Sequence, residues 1–105
     1  MLKVEKDFSK PLRDSINQAF VEILGESNSK VFLEYFTAHH SIQMENIELQ
    51  LAEFSSALSS LGTGGQVLGR AIAKRLFAKL GLKYEEDLNK TFYDYIQTAM
   101  ESERP

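Results

Sequence analysis

His39 and His40 are the side chains best suited by type to acid–base or metal chemistry, and they are the only histidines in the chain. Neighbouring residues on a regular helix diverge by roughly 100°, so the pair does not aim at one ion. With no cysteine and no His-Glu-x-x-His spacing, a metal would have to recruit Glu34, Glu45 or Glu48 through the fold. The plainer reading puts both imidazoles in the last turn of a helix, where partial positive charge is favourable and aromatic neighbours supply packing. An enzyme centred on them would need a perturbed imidazole and a pocket beside it. The carboxylates Asp87, Asp94 and Glu101 recur every seven residues on the outer face of one expected helix. That separation along the axis is too great for an acid and base acting on one small substrate. They read as a solvated ridge or a docking surface.

Gly62-Thr63-Gly64-Gly65-Gln66 invites comparison with phosphate loops, in which exposed N–H groups at a helix start attract anions. A Walker-type loop needs Lys and then Ser or Thr after the last glycine, and a dinucleotide loop needs a preceding strand. Here Gln66-Val67 follows the glycines and Leu61 closes a helix, so the run reads as a C-cap with a tight turn. Arg70, Lys74, Arg75, Lys79 and Lys83 give residues 54–84 five basic and no acidic side chains. Residues 85–105 then carry six acidic and two basic ones. Arg70 and Lys74 project opposite the main apolar stripe of their helix, whereas Arg75 and Lys79 lie nearer its edge. These four are the expected polyanion contacts of an alternative reading, a nucleic-acid-binding transcriptional regulator. Against it stand a pI near 5.4 and an acidic segment that folds back beside the bases.

Elements must position all of these groups, and apolar spacing sets out five. Leu12, Ile16, Ala19, Phe20, Ile23 and Leu24 recur at helical spacing, predicting a helix over about 8–24. Asp7 or Ser9 would cap its start, Pro11 would fit its first turn, and Gly25 would end it with a left-handed residue. A turn at Glu26-Ser27-Asn28-Ser29 leads to a helix over about 29–40 with the aromatic face Phe32, Tyr35 and Phe36. After a connection, Ile47, Leu51, Phe54, Leu58 and Leu61 predict a helix over about 48–61. Leu68, Ile72, Ala73, Leu76 and Leu80 predict one over about 66–80, closed at Gly81. Val67, Ala71 and Phe77 widen its apolar arc, so this fourth helix should be central, with neighbours on more than one side. Glu85, Glu86 and Asp87 place negative charge at the start of a fifth over about 84–102, whose buried face is Leu88, Phe92, Tyr95, Ile96 and Ala99.

No stretch alternates apolar with polar residues, so the expected fold is all-α: a compact bundle of about five helices with no sheet. The 105 residues, 43% hydrophobic and 26% charged, suit one domain with a packed core. The absence of cysteine removes disulfides and thiolate sites together. No apolar run approaches the roughly 20 residues of a membrane helix, and Met1 to Lys10 is too charged for a secretory signal. A cytoplasmic location without membrane contact is the expectation. The aromatics could line a ligand pocket, but filling a core is their commoner use. Tyr84 and Tyr93 are expected near the surface. Tyr93 and Met100 flank the buried face of the fifth helix at a spacing that seats a partner helix, and Phe77 on the fourth joins them as a candidate partner interface.

Leu24-Gly25-Glu26, Ile47, Phe54, Leu58 and Leu61-Gly62, followed by Gly65, Val67-Leu68, Ile72, Lys74-Arg75-Leu76 and Leu80-Gly81-Leu82, carry a family resemblance. Over about residues 8–82 this order resembles a small archaeal family of all-helical output domains, of the nitrosopumilus type. That family often has prolines between the positions of Ile47 and Phe54, where this chain has Glu48 and Leu51. The acidic segment after Lys83 lies outside the resemblance. The resemblance implies a module that accompanies sensory and regulatory proteins, with no established reaction and no catalytic residue to carry over. The expectation is therefore a non-enzymatic interaction or regulatory module without cofactor or metal. It would self-associate as a homodimer through surplus apolar surface around its fourth and fifth helices.

Overall fold

Leu12, Ile16, Ala19 and Phe20, which helical periodicity places together, are wholly buried along one side of helix α1 (Ser9–Leu24). The computed structural model describes residues 8–87 and 89–102, so Asp7, one of the two expected caps, lies outside the described residues, as does the side chain of Ser9. Gly25 ends the helix with φ 87° and ψ 161°, which is an extended conformation at positive φ and not the left-handed helical one expected. Only glycine enters that region readily. One residue thus turns the chain straight into α2 (Glu26–His40), and the Glu26 to Ser29 stretch, expected as a turn, is helical. Glu26 supplies negative charge to its first turn, and the Asn28 amide donates back to Leu24 O at 3.0 Å.

Ser41, in the left-handed region at φ 55°, closes α2. The connection that follows is more ordered than its weak periodicity implies. Residues Met44–Leu49 form a 3-10 segment with a kink at Asn46, and Ile42 and Ile47 are both buried. The Gln50 side chain clasps this corner, accepting from Gln43 N–H and donating to Ser41 O, each at 2.8 Å. Helix α3 (Leu51–Ser59) therefore starts three residues later than the spacing predicts, and it buries Leu51, Phe54, Ala57 and Leu58.

Helix α4 (Thr63–Leu80) starts three residues early because Gly64 and Gly65 belong to it. A Cβ on Gly65 would lie 1.7 Å from Leu58 O, so the glycine is where α4 presses on the end of α3. Gly81 adopts the expected left-handed cap at φ 73° and ψ 25°, and Leu82 N–H reaches back to Phe77 O at 2.8 Å. Helix α4 is the central element, packing against α1, α3 and α5.

Helix α5 (Phe92–Ser102) is shorter than expected. Residues 84–87 are not helical, and the helix is started by Thr91 instead. Thr91 Oγ1 accepts from Asp94 N–H at 3.2 Å while Asp94 Oδ2 accepts from Thr91 N–H at 3.0 Å, a reciprocal capping box. Phe92, Tyr95, Ile96 and Ala99 are buried as predicted, and Leu88 lies outside the described residues. Among the described residues there is no strand, and the molecule is an all-α bundle. Phe20, Phe36, Phe54 and Phe92 run ring to ring through its core, with centroids 6.1, 5.4 and 5.3 Å apart in that order.

Candidate functional site

Many polar side chains gather around α4 and the strap, residues 82–91, that joins it to α5; of these, 82–87 and 89–91 are described and none is helical. Three neighbours consume most of the wide apolar arc of α4. Phe77, expected at a partner surface, is only 5% exposed and packs edge-on to Tyr84 and Tyr95 at 5.7 and 6.1 Å. It is a core residue and leaves the candidate interface. Of the arc's large side chains only Val67 remains outside, at 46% exposure. Tyr93 is exposed as expected, and Met100 is half-buried.

The bases of α4 meet acids from two directions. Arg75 pairs with Glu22 of α1, on the side of the helix nearer the core, as its place at the stripe's edge predicts. Arg70 Nε lies 3.7 Å from Glu86 of the strap, and Lys83 Nζ lies 3.3 Å from Glu85. Lys74 sits over the Tyr84 ring, 5.8 Å from its centroid, and Lys79 is exposed. Exposed pairs of this kind contribute at most about 1 kcal/mol each, because solvent screens them and two long side chains lose freedom.

What fixes the strap is aromatic. Tyr84 stacks on Tyr95 with centroids 5.1 Å apart and is half-buried. The Tyr95 hydroxyl accepts from Asp87 N–H at 2.7 Å and faces the carbonyls of Glu85 and Asp87 at 3.2 and 3.3 Å. A phenol ten residues down the chain thus satisfies the strap backbone, which no local pattern could reveal. The Tyr84 hydroxyl is buried without a hydrogen-bond partner among the described residues. Burial first, and then the adjoining Tyr95 and Glu86, raise its pKa well above that of an ordinary phenol.

A cleft of about 160 Å³ opens between the end of α3, the first turns of α4 and the start of α5. Gly65, Gly69 and Phe92 contribute to its walls, and Ser55, Ser59, Arg70 and Lys90 bring polar groups to it. Its lining holds no histidine or carboxylate among the described residues. Lys90 leans over the Tyr95 ring at 5.5 Å from its centroid.

The histidines lie on the opposite part of the molecule's chain order, in the last turn of α2 as expected. His39 stacks on Tyr35 at 4.3 Å, and His40 stands edge-on to Tyr35 and Phe36 at 5.7 and 5.8 Å. Among the described residues no three histidine, aspartate or glutamate side chains gather as a metal site. The expected carboxylate ridge does not form either, because Asp87 belongs to the strap and Asp94 is occupied in capping α5. No helix among the described residues is long and apolar enough to cross a membrane. No family model, curated protein or solved structure matches the chain.

Proposed function

We propose that this chain is a non-enzymatic interaction module of the regulatory, output type, working in the cytoplasm and pairing with a second copy through the outer flank of α5. The observation that carries this reading is the row Tyr93, Gln97 and Met100. These residues stand at i, i+4 and i+7, with Tyr93 37% exposed and the other two half-buried. Such spacing places them on one stripe of the helix, the arrangement by which a helix offers anchors to a matching helix or groove. Tyrosine brings a large ring with a polar edge, and methionine adapts its shape to the surface it meets. A two-fold axis would set this stripe against itself. The likeness of residues 8–82 to output domains supports a regulatory setting, and a chain free of cysteine suits a reducing compartment.

Light scattering on the purified protein at high micromolar concentration should give twice the 11.9 kDa chain mass, and the value should persist in high salt. Tyr93→Glu should return it to a monomer with an unchanged circular dichroism spectrum. A strict monomer for the unmodified protein removes the homodimer.

A further inference from the structure

We infer that the outer face of α4 is a contact surface for the phosphates of duplex DNA, held shut by the chain's own acidic strap, in which Glu85 and Glu86 stand in for phosphates and Asp87 adds a third, neighbouring carboxylate. This goes beyond the pairing of α5 and does not rest on it.

Arg70 and Lys74 lie one turn apart on α4, and both project away from its buried stripe. The strap crosses that face. Glu86 Oε2 reaches Arg70 at 3.7 Å, the Tyr84 ring lies beneath Lys74 at 5.8 Å, and Lys83 is engaged by Glu85 at 3.3 Å. Lys90 shares the cleft that Arg70 lines, which extends the positive surface toward α5. The acids that meet Arg70 and Lys83 both sit in the strap, so the carboxylates recorded on this face come from one segment.

Two kinds of contact hold that segment, and they differ in how easily they exchange. The ionic contact to α4, Glu86 with Arg70, is solvent-exposed, with the Glu86 side chain 50% accessible, and the Glu85–Lys83 pair within the strap is more exposed still, so a competing polyanion or salt can replace both. The anchors at Tyr84 and Tyr95 are stacked and hydrogen-bonded to backbone, and they keep the strap in place while its carboxylates give way. A duplex gains by releasing counterions for each phosphate neutralised, whereas three carboxylates release few. The strap therefore sets a threshold that short or weakly charged anions do not cross.

The test compares the unmodified protein with E85Q/E86Q/D87N for binding to a labelled duplex of about 20 base pairs by fluorescence anisotropy, at about 50 mM salt. Glutamine and asparagine keep the shape and acceptor oxygens of the strap. The variant should bind at least about tenfold more tightly, with a salt dependence steeper by about two phosphate contacts. Adding R70Q/K74Q should abolish the gain. A control, E26Q/E34Q/E45Q, removes the same number of charges far from α4 and should bind as the unmodified protein does. E86Q alone, which frees only Arg70, should give a gain of about threefold and guards against misfolding of the triple variant. An equal gain in the control, a gain that survives R70Q/K74Q, a gain seen only with an acidic peptide, or no gain in either strap variant overturns the proposal.

Discussion

Ser15 is the least expected residue of the core. It is fully buried on α1 between Leu12 and Ala19, and its hydroxyl has no hydrogen-bond partner among the described residues. A buried hydroxyl left without a partner costs about 1–3 kcal/mol. Ser15→Ala keeps the size and removes the orphan oxygen. Thermal unfolding should show the variant more stable by about 1 kcal/mol, a rise of a few degrees in Tm for a domain of this length. A fall in Tm would mean that the hydroxyl is satisfied in solution. Nothing in the sequence marks this residue, because serine at an apolar position of one helix reads as a break in the stripe and not as part of it.

Adjacent glycines separate local preference from packing at the scale of elements. Gly64 lies in the first turn of α4 with nothing near the place of a Cβ, while Gly65 would drive its Cβ into the backbone of Leu58. Gly64→Ala should therefore stabilise by about 0.4–1 kcal/mol through the unfolded chain. Gly65→Ala should destabilise by about 3 kcal/mol, since rigid backbone has to move. Chemical denaturation of the pair checks both signs. Most of the buried faces of α1, α3, α4 and α5 were legible from apolar spacing, as Leu12, Ile16 and Phe20 or Phe92, Tyr95 and Ile96 show, whereas of the expected aromatic face of α2 only Phe36 is buried and Tyr35 is exposed. The starts of α3, α4 and α5 were not. In each case a tertiary contact decided: the Gln50 clasp, the crossing at Gly65, and the Tyr95 hydroxyl that holds residues 85–87 out of a helix. At the candidate site the places of Arg70, Lys74, Arg75 and Tyr93 on their helices could be read from the spacing. The burial of Phe77 could not, because the wide arc of α4 looked the same whether another helix or another molecule covered it.

Taken as a whole molecule, the bundle closes only when α5 is in place. Phe92 packs on Phe54 and Tyr95 on Phe77, so the last helix covers core contributed by α3 and α4. A chain ending at Gly81 should lose the cooperative thermal transition of the full protein and bind a hydrophobic dye, as expected when specific packing goes while helices persist. A sharp transition in the truncated chain would show that α1 to α4 form a complete unit.

The meeting of α3 and α4 at Gly65 also bears on descent. A side chain is excluded there by a carbonyl oxygen belonging to a neighbouring helix, and no compensating change of rotamer elsewhere can open the space. Any distant cousin that keeps this crossing must keep a bare α-carbon at the matching position, however far its remaining residues have drifted. A hydrogen atom where every other residue type brings carbon is thus the most durable mark of ancestry this architecture can carry.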